Sequence, residues 1–359
     1  MLWVDKHRPK DLKDLSYHDK TTKRFTALVE HARSSLPHLF LYGPSGAGKR
    51  TRIMALLKEI YGPGALKLKL DKKSFETPTK RTIEVNMISS SYHIELCPAD
   101  AGLNDRFVVQ EVIKEIASSK VLNSSSGSKQ IDFKIVILTE VDRLSKQAQA
   151  ALRRTMEKYT QTCRLILVCN LAARVMEPVR SRCLGIRIPA PSFNDICHVL
   201  KATAKKECIT LPEKVAINIA HESDRNLRRA LLMLEALHVQ NRNTELTEKV
   251  LIQTTDWQLY IHQLANDITK EQSPQKLLAA REKLYELLVH CIPATVILKT
   301  LVQQLLLNLD DSLKPQLLEW AAFYEHRLAT GMKEIFHLEA FVAKFMALYK
   351  KYLTDLFGL

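Results

Sequence analysis

The chain has 359 residues, 46% of them hydrophobic, and its 53 Lys and Arg exceed its 39 Asp and Glu to give a net charge of +14. This length is more than one compact core accommodates, so we expect two or three domains. We expect neither a secreted nor a membrane-spanning protein, because there is no leader-type N-terminus and no run of about 18 apolar residues. The positive charge favours a polyanionic partner, but composition does not distinguish DNA from RNA or an acidic protein.

The predicted elements alternate between apolar strands and helical stretches up to about residue 190, which indicates a doubly wound α/β domain. A hinge that contains two prolines, IPAPS, follows at residues 188–192. From there to the end of the chain the periodicity is helical. We therefore predict an α/β parallel-sheet domain over residues 1–190, a small helical domain over 191–245 and a second helical domain over 246–359. The predicted strands are Leu39–Tyr42, His93–Leu96, Lys134–Leu138 and Arg164–Asn170.

Two segments of the first domain interrupt this alternation. Residues 62–91 are rich in Lys, Thr and Ser and predict a hairpin-like insertion. Residues 123–130, NSSSGSKQ, predict a polar loop.

The cysteines are scattered without C-x-x-C pairs. This spacing indicates reduced, mostly buried thiols in the cytosol or nucleus and argues against a disulfide framework or a zinc site. They are Cys97, Cys163, Cys169, Cys183, Cys197, Cys208 and Cys291.

Residues 43–51, GPSGAGKRT, match a phosphate-binding loop with one unusual position. Arg50 follows the lysine where Ser or Thr normally holds Mg²⁺, and a guanidinium has no lone pair for a metal. The loop lies between an apolar strand and a helical segment, so its N–H groups, the helix N-terminus and Lys49 are placed to bind phosphate oxygens. A chance Gly-rich turn is the alternative. The candidate nucleotide-binding residues are Gly43, Pro44, Ser45, Gly46, Ala47, Gly48, Lys49, Arg50 and Thr51.

The second nucleotide motif, KIVILTEVD over residues 134–142, departs from its usual form at the residue that would bind the same Mg²⁺. Thr139 occupies the position of the metal-binding Asp, whereas Glu140 remains where a carboxylate orients water, and Asp142 follows. Since both usual Mg²⁺ ligands are replaced, we predict a site that retains ATP or ADP, hydrolyses it slowly or not at all, and is doubtful as a Mg²⁺ site. The alternative is that Thr139 only caps a turn and that water or Glu140 rescues catalysis.

Three further polar residues occupy notable positions. Asn170 ends the strand RLILVCN, where ligands of parallel sheets gather. Arg182 precedes the short apolar segment IRI, and Arg228 begins a helix of the second domain. Each is weak by itself, because an Arg on a helix is usually only solvated.

Together these motifs resemble the AAA+ ATPases, and specifically the small subunits of replication factor C, the eukaryotic sliding-clamp loader. The opening LWVDKHRP is similar to the W-V-x-K-Y-R-P start of that family, with His7 in place of Tyr, and AQAALRRTMEKY and SRC are typical of clamp loaders. The resemblance covers essentially the whole chain, including the ending HLEAFVAKFMALYKKY. The loop and the T-E-V-D strand are most similar to the small subunit whose own site is degenerate. Where relatives have Arg in an I-x-V-V-R helix, this chain has Gln110, so a DNA contact is expected to be lost there.

The resemblance implies an AAA+ domain, a helical lid and a C-terminal helical collar that joins the subunits of a hetero-pentamer. It implies that Asn170 is sensor 1, that Arg228 is sensor 2 acting from the lid, and that the Trp3–Pro9 segment lies near the adenine. Arg182 resembles an arginine finger, which acts on nucleotide in the neighbouring subunit and is typically worth about 10³ to 10⁵ in rate. Arg154 either assists across that interface or is an ordinary helix-surface residue.

Clamp loaders follow the DNA backbone, so the resemblance also implies cations and helix N-termini that contact phosphates. Lys114 on the predicted helix 104–120, and Ser145 with Lys146 at the start of the next helix, are the candidates. A solvated basic helix face is the alternative for each. The VIKEIA face of helix 104–120 either lies against the clamp or belongs to the core.

Two functions remain open. In the first, the chain is a weakly hydrolysing or non-hydrolysing subunit of a nuclear clamp loader. Its partners are then the other replication factor C subunits, a sliding clamp of the proliferating cell nuclear antigen type and primer–template DNA, with no membrane. In the second, it is a self-sufficient DNA-stimulated ATPase or helicase-like motor. A motor needs both Mg²⁺ ligands at every turnover, which favours the first. The Arg50 guanidinium is then expected to supply part of the missing positive charge.

Overall fold

The computed structural model describes residues 1–76, 82–118, 133–160, 162–241 and 255–357. The polar loop predicted at 123–130 lies outside these residues. The chain divides into two compact units, Met1–Ile252 and Gln253–Leu359, which are described separately.

The first unit is built on a seven-stranded sheet. The strands are β1 (Leu39–Tyr42), β2 (Lys69–Glu76), β3 (Thr82–Ser89), β4 (His93–Leu96), β5 (Lys134–Leu138), β6 (Cys163–Cys169) and β7 (Leu184–Arg187). Their order in the sheet is β2-β3-β4-β5-β6-β1-β7. Strands β4, β5, β6, β1 and β7 are parallel, whereas β2 and β3 form an antiparallel hairpin at one edge. This arrangement confirms the doubly wound α/β domain and places the hairpin-like insertion at an edge, where it does not interrupt the parallel strands.

Helices cover both faces of this sheet, so the central strands are apolar on both sides. In β1, Leu39 and Leu41 pack on one face with Ile53 of the helix that follows the phosphate loop, while Phe40 packs on the other with Leu152. Each buried side chain of this kind stabilises the fold by about 1.5–3 kcal/mol. The helices of the sheet domain are α1 (Trp3–Lys6), α2 (Asp19–Ser35), α3 (Lys49–Tyr61), α4 (Asp105–Ser118), α5 (Lys146–Lys158) and α6 (Glu177–Arg180).

Three helices beyond the hinge form a small domain within the first unit. They are α7 (Phe193–Lys206), α8 (Glu213–Glu222) and α9 (Leu227–Gln240), and they enclose a separate apolar cluster that includes Leu200, Ile219 and Leu234. Trp3 of α1 also belongs to this cluster, so the N-terminal segment packs on the helical domain. Helix α7 begins with a capping box in which Ser192 and Asp195 satisfy each other's backbone N–H groups. The hinge therefore ends at a well-defined helix start.

The second unit is all helical, as the sequence predicts. Its helices are α10 (Asp256–Lys270), α11 (Pro274–Val289), α12 (Ala294–Asn308), α13 (Lys314–Thr330) and α14 (Glu334–Phe357). They share one apolar core, to which α12 contributes Leu301 and Leu305 and α14 contributes Phe341 and Val342. Within the described part of the chain, no helix is long and apolar enough to span a bilayer.

The cysteines are free. The prediction that they are mostly buried is confirmed for five, which are buried or half-buried, and is wrong for Cys208 and Cys291, which are exposed. Both exposed residues lie two residues beyond a helix end, and both have left-handed backbone.

Candidate nucleotide-binding site

The phosphate loop connects β1 to α3 at the carboxyl edge of the parallel strands. Gly46 and Gly48 have φ values of 75° and 82°, a left-handed conformation that suits glycine. A Cβ on Gly46 would overlap the side chain of Asn226, and one on Gly48 would overlap the hydroxyl of Tyr17. The two glycines are therefore required both by backbone conformation and by close neighbours on either side of the loop.

Lys49 is the first residue of α3, and its ammonium lies inside the loop. Its Nζ donates to the carbonyl oxygens of Gly43 at 2.7 Å and Pro44 at 2.9 Å, and to Oδ1 of Asn170 at 2.8 Å. Burial lowers the pKa of Lys49, and the negative charge of the nearby Asp142 offsets only part of this effect. The structure thus brings together the loop lysine and Asn170, two residues that the sequence predicts at one site.

Arg50 points away from the loop towards the sheet. Its Nε and Nη2 donate to Oε2 of Glu95 at 3.0 and 2.7 Å, and Glu95 is a buried residue of β4. Burial, with a smaller effect of the Arg50 charge, lowers the pKa of the neighbouring His93 to about 4. The expectation that Arg50 supplies positive charge to the phosphates is weakened, because this carboxylate already neutralises the guanidinium.

The residues after β5 are held by local contacts. The backbone N–H and the hydroxyl of Thr139 both donate to the carbonyl of Leu96, at 3.0 and 3.2 Å. Glu140, the predicted water-orienting carboxylate, forms an exposed ion pair with Arg143 at 2.7 Å. Thr139 is therefore hydrogen-bonded to the last residue of β4, and Glu140 is paired with a residue of its own turn.

Asp142 lies closer to the lysine and asparagine pair. Its Oδ2 accepts from the backbone N–H groups of Asn170 and Leu171 at 3.3 and 3.2 Å. Its Oδ1 is buried and has no hydrogen-bond partner among the described residues. Asp142 fixes the end of β6, and through it the position of Asn170.

A cavity of about 190 Å³ opens beside the loop. The N-terminal segment contributes His7 and Pro9, the loop contributes Gly46, and the helical domain contributes Lys206 and Arg228. The N-terminal segment and Arg228 therefore both face the space next to the phosphate loop, and the roles that the resemblance implies for them stay predictions. Lys6 and His7 also bind Glu207, which holds the N-terminal segment to the helical domain.

Arg182 lies at a different place, beside α5. Its Nε and Nη2 contact Oε1 of Glu157 at 2.8 and 2.6 Å, and its Nη1 donates to the carbonyl of Pro178 at 2.7 Å. Arg154 is exposed one turn before Glu157 on the same helix. The two arginines are thus brought near one another by α5, and no contact among the described residues joins either of them to the phosphate loop.

The predicted DNA contacts are all exposed, but they differ in the contacts that they already make. Lys114 on α4 and Lys146 at the start of α5 are exposed. Ser145 caps α5 by accepting from the N–H of Ala148, and its own N–H and hydroxyl donate to Asp105 at 2.7 and 2.9 Å. Because Asp105 is a buried carboxylate at this helix N-terminus, a phosphate at Ser145 would have to overcome like-charge repulsion.

Several residues that shape the site are absent from the sequence-based prediction. Glu95 is the clearest, and the available signal was a carboxylate inside the apolar strand HIEL, which requires a cationic partner. Asn226 and Tyr17 come from segments distant in sequence, so no local pattern identifies their approach to the glycines.

Three family models match successive parts of the chain. The description "DNA polymerase III, delta subunit" matches residues 17–192, and "RCF1/5-like, AAA+ ATPase lid domain" matches residues 198–239. "Replication factor C subunit 3, C-terminal domain" matches residues 257–353. Their order follows the sheet domain, the small helical domain and the second helical unit.

Curated relatives extend this similarity over the whole length. Replication factor C subunit 3 of Bos taurus is 53% identical over 354 residues, covering 99% of this chain and 98% of the relative. This chain belongs to the replication factor C subunit family. The subunit 3 protein of Homo sapiens is likewise 53% identical with the same coverage, and replication factor C subunit 5 of Schizosaccharomyces pombe is 44% identical, covering 97% of each chain. The chain is accordingly a clamp-loader subunit with an AAA+ nucleotide-binding fold, and it associates with other replication factor C subunits.

Solved structures support the fold. The RuvB Holliday junction branch migration motor of Thermotoga maritima has a TM-score of 0.52 at 16% identity, covering 77% of this chain and 85% of that structure. At this identity the likeness concerns the fold alone. The resemblance to AAA+ proteins that the sequence indicates is thus confirmed, together with the lid and the C-terminal helical domain of the replication factor C family.

Proposed function

We propose that this replication factor C subunit binds ATP or ADP and hydrolyses it weakly or not at all, while supplying an arginine finger to a neighbour. It acts in a nuclear hetero-pentamer that uses ATP to open a sliding clamp of the proliferating cell nuclear antigen type. The assembly loads that clamp at primer–template junctions in DNA replication and repair. The three domains predicted from the sequence serve as nucleotide-binding domain, lid and oligomerisation collar.

The observation that carries this proposal is the contact between Arg50 and Glu95. Mg²⁺ binds oxygen ligands in near-octahedral geometry, whereas the Arg50 position offers a donor-only group already paired with a buried carboxylate. Thr139 directs its hydroxyl proton to the Leu96 carbonyl, and Glu140 is paired with Arg143. Of Thr139, Glu140 and Asp142, Asp142 alone keeps a buried oxygen, Oδ1, without a hydrogen-bond partner among the described residues. This donor set does not fit Mg²⁺, which is the reason to expect slow hydrolysis.

The groups that bind phosphates are retained. Lys49, the glycine loop and the N-terminus of α3 would hold the phosphate oxygens, with Asn170 beside Lys49 and Arg228 opposite them on the lid. The N-terminal segment would enclose the base. Bound nucleotide then acts as a structural element that joins the sheet domain to the lid.

Arg182 is suited to act outside its own subunit. It is exposed, and its pair with Glu157 is a surface contact worth about 0–1 kcal/mol, so a neighbour's phosphates can compete for it. A fixed cation that neutralises a transferring phosphoryl group is worth far more than such a pair. Arg154, on the same helix as Glu157, is proposed to assist at that interface.

DNA is proposed to contact exposed cations of the first unit. The residues from Gln253 onwards contain 11 Lys and Arg against 12 Asp and Glu, a net charge of −1, so the first unit carries a net charge of +15. Lys114 and Lys146 are the leading candidates. Ser145 is also a candidate, although its N–H and hydroxyl already donate to Asp105. Contacts of this kind recognise phosphates and not base edges.

The competing function is a self-sufficient ATPase or helicase-like motor. One observation favours it, namely the unpartnered Oδ1 of Asp142 near Lys49, since a carboxylate there can hold a cation through water. Both positions that hold the metal in phosphate-loop ATPases are nevertheless replaced, by Arg50 and Thr139.

The experiment that separates the two functions is site-resolved nucleotide labelling. The assembly is reconstituted, photolabelled with radioactive 8-azido-ATP with Mg²⁺ or with excess chelator, and its chains are separated by electrophoresis. We expect labelling of this chain to change less than about threefold on chelation, because no metal bridges its nucleotide to the protein. Loss of labelling on chelation, or hydrolysis of the label on this chain, would establish a metal-dependent motor site.

A further inference from the structure

The hinge between the sheet domain and the lid is held from both sides. It contains Pro189 and Pro191, which have no N–H and cannot continue a strand or helix, so its carbonyl groups need donors from elsewhere. On the side of the sheet domain, Ile188 donates its N–H to Tyr42 at 2.9 Å, and Nε2 of His18 donates to the carbonyl of Pro189 at 3.2 Å. The hinge up to Pro189 is therefore fixed to the sheet.

The next two carbonyls are bound by a single side chain of the lid. Nε of Arg225 donates to Pro191 and Nη2 donates to Ala190, both at 3.0 Å. The guanidinium carbon also lies 6.0 Å from the ring centroid of Phe193, the first residue of α7. A guanidinium suits this task, because its donors form a rigid planar fork that reaches two neighbouring acceptors at once.

The backbone of Arg225 is the second observation. Its φ is 59°, and the preceding Asp224 has φ of 49°, so two consecutive residues with side chains adopt the left-handed conformation. This region is disfavoured for residues other than glycine and, when occupied, points to a function of the side chain. The contacts of the guanidinium with the hinge supply that function.

The residues that follow Arg225 reach the nucleotide site. Asn226 accepts from the N–H of Arg229 at 3.2 Å to cap α9, and its side chain lies so close to Gly46 that a Cβ there would overlap it. Arg228, two residues further on, lines the cavity beside Gly46 and Thr51. The position of Arg225 thus determines where α9 begins relative to the phosphate loop.

We propose that Arg225 is a positioning residue that latches the lid to the hinge and holds Asn226 and Arg228 against the phosphate loop. Lid motion then pivots at the link between Pro189 and Ala190, since the contacts on either side belong to different domains. The effect on nucleotide affinity rests on the proposed nucleotide binding, whereas the effect on the hinge does not.

The test replaces Arg225 by glycine, which suits the left-handed backbone and removes only the side chain. In the reconstituted assembly, the concentration of 8-azido-ATP that half-labels this chain should rise about tenfold, which corresponds to Asn226 and Arg228 being held against the phosphate loop about a tenth as often. Lys201→Ala, which breaks an exposed ion pair with Glu213 inside the lid, is the matched control and should not change labelling. In an Arg228→Ala background, Arg225→Gly should cost less than about threefold, since the latch acts through Arg228.

A second readout does not depend on nucleotide. Hydrogen exchange of the peptide covering residues 188–196 should become about tenfold faster in Arg225→Gly without nucleotide, and wild-type exchange there would overturn the latch. Unchanged half-labelling in Arg225→Gly would also overturn it. Absence of labelling in the wild-type chain would instead refute the proposed nucleotide binding and leave the exchange result to decide. If the glycine variant fails to assemble, Arg225→Lys, which lacks the fork, should shift both measurements in the same direction, and wild-type values would contradict the proposal.

Discussion

At the scale of single residues, Arg50 and Glu95 depend on one another. Glu95 is 7% exposed and accepts both guanidinium bonds on one oxygen. Removing Arg50 leaves a buried carboxylate without its cation, which is more damaging than losing the pair as a whole. The Arg50 side chain is itself 39% exposed, so solvent screening reduces the penalty.

We therefore predict that Arg50→Ala lowers the local stability of β4 and α3 by about 1–2 kcal/mol. The measurement is hydrogen-exchange protection of these elements in the assembled complex. Adding Glu95→Gln should restore part of the loss. Arg143→Ala, which breaks the exposed pair with Glu140, is the control and should change protection by less than about 0.5 kcal/mol. Equal losses in the two single variants would show that the buried pair has no special weight.

His93 makes a pH-dependent contribution to the same region. Burial is the main cause that lowers its pKa from 6.5 to about 4, so the unfolded chain binds a proton more readily than the folded one between these values. Stability is then fully present above pH 6.5 and declines as the pH falls towards 4, by up to about 3 kcal/mol. His93→Gln should make the thermal midpoint of the complex less dependent on pH over this window, whereas a change at the exposed His198 should not. An unchanged slope in His93→Gln would contradict this assignment.

At the scale of secondary-structure elements, α4 and α5 are joined by Asp105 and Ser145 and present exposed lysines. Removing one lysine–phosphate contact reduces the magnitude of the slope of log affinity against log salt concentration by about one. Lys114→Ala and Lys146→Ala should each reduce this slope for primer–template binding by the assembly, with no dependence on base sequence. Lys299→Ala, an exposed lysine of α12, is the control. A slope that matches the control removes the tested lysine from the DNA interface.

Much of the element-level structure is predictable from sequence. The sequence predicts the strands at 39–42, 93–96 and 134–138 because apolar runs bounded by polar residues are typical of buried parallel strands, and β6 lies one residue earlier than expected. Lys49 and Asn170 were assigned to one site because loops at the carboxyl ends of parallel strands meet there. The partners of Arg50 and Arg225 were not predictable, since the first depends on a buried acid two elements away and the second on carbonyl groups of a hinge. Sequence patterns report periodicity, and they do not report which distant atom completes a hydrogen bond.

At the scale of the whole molecule, the second unit exposes large apolar side chains. Leu307 is 78% exposed, Val289 76% and Met332 99%, and the last two border the same surface groove. Exposed apolar side chains that lie together are typical of surfaces that bind other proteins. We predict that the chain expressed alone aggregates or is poorly soluble and that co-expression with other replication factor C subunits restores solubility. Size-exclusion chromatography with light scattering is the measurement. A monodisperse monomer without affinity for those subunits would contradict a collar role.

We propose a division of labour between two sites of this subunit: the phosphate loop binds nucleotide without efficient turnover, and Arg182 serves a neighbouring subunit. Steady-state ATPase activity of the reconstituted loader, with clamp and primed DNA, tests it with Lys49→Ala and Arg182→Ala in this subunit. Lys49→Ala should leave most of the activity, because the turnover arises elsewhere in the ring. Arg182→Ala should lower it substantially, up to about 10³-fold at the one site that it completes. If Lys49→Ala abolishes turnover in a ring that still assembles, while Arg182→Ala has no effect, the account is wrong.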